Sequence, residues 1–130
     1  MKRHLTLLYT AALVMIILLI LVKISAAGSQ MDSPVLGVQE YMKNVDRYKG
    51  QVRVEGVVSA VSPADQTLSL IDIQEFKECG ITTCAPLTLP VKWQGPLPSV
   101  KDVVQLEGEV RKSGGKLYFE AKSLQKKGSL

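Results

Sequence analysis

The side chains with the most chemistry in this 130-residue chain are two cysteines, Cys79 and Cys84. They stand in the segment ECGITTCAP, which follows neither the helical nor the strand period. A redox pair has tighter spacing and sits at a helix N-terminus, where the thiolate is stabilised; this segment offers neither. A structural zinc site needs four ligands, and the single histidine, His4, lies in the N-terminal leader. Covalent haem attachment expects Cys-x-x-Cys-His, a pattern the sequence lacks. The favoured reading is a structural disulfide, Cys79 to Cys84, in an oxidising compartment. Closing so short a loop would stabilise the fold by about 2 kcal/mol in the chain-entropy account. A thiol redox protein using the same pair stays as an alternative.

No catalytic constellation accompanies the cysteines. With no histidine beyond His4, Ser-His-Asp and histidine-metal hydrolase arrangements are excluded from the rest of the chain. Glu107 and Glu109 share one face of a strand-like run, which reads as a solvated face rather than a glycosidase pair. Glu75 and Glu78 read as a solvated rim beside the cysteines, and Gly114-Gly115 is too short for a phosphate cradle. No catalytic residue, metal or cofactor is predicted. Trp93, Tyr118 and Phe119, with Lys122 and Lys127, form the candidate ligand or partner surface. Aromatic side chains on a barrel face can stack single-stranded bases, which makes nucleic acid the second alternative. Charge argues against it. Lys2, Arg3 and Lys23 flank the leader, and removing those three of 16 basic residues leaves 13 against 12 acidic ones. The remainder is nearly neutral and offers no broad basic face. Only the C-terminal end, with Lys122, Lys126 and Lys127, is locally basic.

The elements that must position these residues are strands. Gln51–Ser62 reads QVRVEGVVSAVS, with Val52, Val54, Val58 and Ala60 on one side and Arg53, Glu55 and Ser59 on the other. Gly56 interrupts it, as a bend, a bulge or a close backbone approach would. Val54–Val58 is echoed by Leu106–Val110, with Gly108 at the same phase as Gly56. Long strands with matching glycines suit a small coiled barrel. Pro63–Gln66 is a turn, and Thr67–Ile73 a second strand in which Asp72 faces solvent or caps the next turn. Gln74–Pro86 is aperiodic. Leu87–Trp93 is a third strand, at an edge or bulged because Pro90 cannot donate to a ladder. Val103–Lys112 and Lys116–Leu124 are the fourth and fifth, joined by the turn Ser113–Gly115. Before them, Val38, Tyr41, Met42, Val45 and Tyr48 recur at three and four residues. That spacing predicts a short amphipathic helix over Val38–Val45, plugging one barrel end or presenting a face to a partner.

The fold expected is mainly β: a five-stranded OB-fold-like Greek-key barrel over 51–126, with a tail at 127–130. An SH3-like barrel is the fallback. Ahead of it come a membrane anchor at 1–24 and a linker with the short helix at 25–50. Leu5–Val22 carries no charge and no proline. As a helix it would reach about 27 Å, close to the ~30 Å hydrocarbon core. Lys2 and Arg3 before it would stay in the cytoplasm, leaving the barrel outside. The run is longer than a cleavable signal core, and Lys23 separates it from the candidate cut after Ala27, so an uncleaved anchor is favoured. Ser25–Asp32 is a small, polar linker.

One block carries a family resemblance. Pro90–Pro98 (PVKWQGPLP), then Asp102-Val103-Val104 and Leu106–Val110 (LEGEV), resembles the haem chaperone of cytochrome c maturation, its E component. Val52–Val58 looks like that family's first strand, and the likeness covers most of Gln51–Leu124. It implies one N-terminal anchor and a periplasmic OB-type barrel. That family attaches haem through a histidine in a K-H-D-x-x-Y segment after the last strand. Here the place reads LQKKGSL, Lys127 aligns with the histidine, and the tyrosine is missing. The cysteine-bearing loop is an addition. The resemblance thus implies an anchored envelope-assembly module with an envelope protein partner; haem, if handled, would not be held covalently.

Overall fold

The computed structural model describes residues 2–24 and 33–130, and the side chains of 6–18 and 33–130. The linker Ser25–Asp32 and the candidate cut after Ala27 lie outside the described residues. The chain divides into two compact units, Met1–Asp32 and Ser33–Leu130. The first holds a helix, α1, Lys2–Ile24. Its described side chains, residues 6–18, make up about 20 Å of helix, and no helix among the described residues is long and apolar enough to cross a membrane. The anchor therefore rests on the sequence.

The second unit runs β1 (Val35–Gly37), α2 (Val38–Lys43), β2 (Val52–Ser62), β3 (Thr67–Ile71), α3 (Ile73–Cys79), β4 (Leu89–Lys92), β5 (Asp102–Ser113) and β6 (Lys116–Ser129). The sheet order is β1-β2-β3-β4-β6-β5, and β2 also pairs with β5, so β2 to β6 close into a five-stranded barrel. β2 makes the closure. Its first half, Val52–Val57, pairs antiparallel with Val103–Gly108 of β5. Its second half, Val57–Ser62, pairs with β3. β4 and β6 pair in parallel, all other barrel pairs being antiparallel. The arrangement fits an OB-type barrel.

The period of two fills the interior. Val54, Val58, Leu68, Leu70, Leu89, Val91, Val104, Leu106 and Phe119 are buried in one core. From α2, Val38 and Tyr41 join it, while Met42, Val45 and Tyr48 pack against it. Tyr41 meets Phe119 edge-on, ring centroids 5.8 Å apart. The stripe expected on this helix thus enters the core, although the helix ends at Lys43, with Asn44 as its C-cap, before Val45.

Several boundaries differ from the sequence pattern. β1 was not expected; at three residues it is too short to show a period, and it pairs in parallel with Arg53–Glu55. The second barrel strand stops at Ile71, because Asp72 caps α3 through its side chain, which accepts from Gln74 N. The start of the expected loop at Gln74 is therefore helical. Its own core is small: Phe76 packs with Val57 and Ile71, supported by Ile73, Ala85 and Val103. The last strand extends to Ser129 rather than Leu124, carried by its continuing register with β5.

The two matching glycines are both close approaches. A Cβ on Gly56 would lie 2.7 Å from Val38 Cγ2 and 2.8 Å from Ile71 O. A Cβ on Gly108 would strike Glu120 O and lie 2.9 Å from Ala121 Cα. The register shift in β2 falls at Ser59, not Gly56, whereas one shift between β5 and β6 does fall at Glu107/Gly108. Gly108→Ala should therefore push β6 off β5 and cost about 3 kcal/mol. Denaturant unfolding of the full chain checks this; an unchanged midpoint would contradict the packing.

Candidate functional site

The five residues of the expected surface do not come together. Tyr118 and Phe119 are neighbours on a strand, so they point to opposite faces. Phe119 is fully buried in the core, which removes it from any surface. Trp93 is half-buried against the core, its indole N–H donating to Pro96 O at 3.0 Å, and it pins the loop after β4. Lys122 and Lys127 are exposed at the two register shifts of β6, Lys122 between the pairs Glu107↔Ser123 and Gly108↔Ala121, Lys127 between Val103↔Gly128 and Val104↔Lys126. The stacking platform is thus not formed.

Tyr118 instead belongs to a groove of about 500 Å³ on the outer side of the barrel. Three strands build it, since outward residues of adjacent strands stand side by side. Thr67 pairs with Lys92 and Ser69 with Pro90 across β3 and β4. Lys116, Leu117 and Tyr118 enter from the start of β6, and Ser113 from the end of β5. The ammonium of Lys92 stands 4.1 Å from the centre of the Tyr118 ring. Such a contact favours a cation over the ring face. The lining holds two lysines, three hydroxyl side chains and a phenol, with no carboxylate. The strand period puts Thr67, Ser69, Lys92 and Lys116 on the polar face, but only the pairing of the strands gathers them around Tyr118.

The other candidates for chemistry are occupied. Glu109 accepts from Arg111 at 2.7 Å, and Glu107 lies 4.0 Å from Arg53. No group of three or more metal-ligating side chains exists among the described residues. Glu75 accepts from Gln39 at 2.7 Å, and Asp72 also receives Gln39 N at 3.2 Å, so these two carboxylates tie α3 to α2. Burial holds the Tyr41 phenol above its usual range, and its hydroxyl has no partner among the described residues. Tyr48 is raised chiefly by its hydrogen bond to Glu40.

Cys79 and Cys84 sit at disulfide distance, with Cα atoms 6.3 Å apart. Cys79 is the last residue of α3, and Gly80 follows in the left-handed conformation. A thiolate there would face the carbonyl end of the helix, where negative charge is disfavoured. The position argues for a staple rather than a reactive pair. Replacing both cysteines with serine should lower stability by about 2 kcal/mol and leave the barrel ladder intact. Calorimetry with amide exchange checks this; loss of β2–β5 protection would contradict a purely local staple.

Asp102 anchors the end of β6. It is buried and takes Ser129 Oγ at 2.6 Å, Lys126 Nζ at 2.9 Å and Ser99 N at 2.9 Å. The Ser129 hydrogen bond first, then Lys126 and the Ser99 amide, bring its pKa down to about 2. A carboxyl depressed in the folded state adds stability above its unfolded value, and that stability is lost as pH falls through the folded one. Acid titration should therefore show a loss of stability between about pH 4 and pH 2 that Asp102→Asn lacks. Identical acid profiles for the two proteins would contradict the anchor.

No family model and no curated protein matches the chain. Among solved structures, the chain is similar to the hypothetical protein YgiW from E. coli, at 18% identity and a TM-score of 0.45, covering 73% of this chain and 89% of that one. Likeness at that level adds nothing to the reading of the groove.

Proposed function

We propose that the protein is a non-enzymatic binding module of the bacterial envelope. Residues 5–22 anchor it in the cytoplasmic membrane, the barrel lies on the far side, and the β3–β4–β6 groove recognises an anionic ligand. The observation that carries this is the groove lining, which has two lysines, three hydroxyls and a half-buried phenol without a carboxylate. The charge-free leader supports the membrane placement. The resemblance to the haem chaperone of cytochrome c maturation makes haem the specific ligand to test. Its two carboxylates suit Lys92 and Lys116, and its ring suits the half-buried Tyr118. Binding would be non-covalent, because Lys127 stands in the place of the attaching histidine.

A single nucleic-acid strand is also anionic, and Tyr118 could stack one base. Two lysines on a nearly neutral barrel are few for that purpose. The C-terminal helix position of Cys79 weighs against the redox reading.

Titration of the full chain in detergent with haem should give a spectral shift that weakens about tenfold in the double variant Lys92→Glu, Lys116→Glu. An oligonucleotide serves as the comparison and should bind more weakly. Absence of a shift would remove haem, and equal binding by the double variant would remove the groove as the site.

A further inference from the structure

The barrel closes over only a short part of β6. β4 pairs with it at two positions, Val91↔Phe119 and Lys92↔Glu120. β5 follows the opposite edge along nearly its whole length, to Ser129. From Ala121 to Ser129, therefore, the edge away from β5 has no strand beside it, and no backbone hydrogen bond joins it to a loop among the described residues. Every residue from Lys122 to Ser129 is exposed except Leu124, which packs against the core. An unpaired edge of this kind is a template for another extended chain.

The same stretch is the locally basic part of the molecule. Ala121–Leu130 contains Lys122, Lys126 and Lys127 and no acid. Lys126 is held by Asp102, while Lys122 and Lys127 form no ion pair among the described residues. Lysines and bulges on an edge normally oppose pairing between copies. Here they have a direction. A second copy pairing through the same edge would bring lysine against lysine, and like charges across strands repel. An acidic strand meets the opposite condition. The two bulges, at Lys122 and Lys127, frame the regular run Ser123–Lys126 and put a free ammonium at each end of it.

We infer that the free edge of β6 at Ser123–Lys126 is a docking site for a short, extended, acidic segment of another protein, added as a strand beside β6. Main-chain bonds supply the pairing, and Lys122 and Lys127 select carboxylate side chains. This surface is separate from the groove and does not depend on the ligand proposed there.

The test uses the full chain in detergent micelles and a synthetic peptide alternating glutamate and valine. A second peptide of the same sequence carries N-methyl groups on alternate amides, which keeps its charge but blocks strand pairing. The first peptide should bind, slow amide exchange at Ser123–Lys126, and lose about tenfold in affinity with Lys122→Glu, Lys127→Glu. The N-methylated peptide should bind at least about tenfold more weakly than its parent. Equal binding by the two peptides would reduce the edge to a patch of charge and overturn the proposal. So would unchanged affinity of the reversed-charge variant, or no binding at all. Protection appearing at Thr67–Ser69 and Leu89–Lys92 instead would assign the peptide to the groove and overturn it equally.

Discussion

The structure depends on one constraint: five strands must close into a barrel around one shared core, which requires close backbone approaches where they meet. β2 meets that constraint by serving different neighbours along its length. Val57 is the hinge of the arrangement, paired with Ile71 on one side and Val103 on the other. The closure needs backbone contacts that a side chain would obstruct, so glycine appears at Gly56 and Gly108. Burial of Val54, Val58, Val104 and Leu106 around these contacts supplies the favourable term. Each such side chain contributes about 1.5–3 kcal/mol on leaving water. α2 then covers the core with Val38 and Tyr41.

Function follows from what closure leaves outside. The period of two turns one set of residues inward and hands the other set to solvent. On β3, β4 and β6 outward residues line a groove with two lysines and three hydroxyls around Tyr118, while Glu120 beside it is taken by Arg111. Where β4 stops pairing, β6 continues alone on that side. The barrel therefore presents two kinds of surface. One is a groove made of side chains, and the other is a strand edge made of backbone.

Much of the barrel was legible in the sequence because alternation is a strong pattern over long strands. The runs at Gln51, Lys116 and Val103 needed only periodicity, and Gly56 with Gly108 marked the tight places. Short elements were not legible. β1 has three residues, too few for a period. α3 was missed although Asp72, Glu75 and Phe76 carry its signature, an N-cap, an acidic first turn and an apolar residue one turn on. The site failed for a different reason. Trp93, Tyr118 and Phe119 were grouped by residue type, whereas adjacency on a strand separates Tyr118 from Phe119. Lys116 shares the face of Tyr118 by the strand period, but Lys92 reaches Tyr118 through the β4–β6 register, which no local pattern reports.

Residue-resolved amide exchange on the full chain tests the closure itself. Strands inside a closed ladder open only with the whole domain, whereas an edge opens locally. The account predicts that Val52–Val57 and Val103–Gly108 exchange together, as slowly as any amides in the chain. If the first half of β2 exchanges fast while β3 and β5 stay protected, the β2–β5 pairing is not formed, and the barrel on which both surfaces depend does not exist.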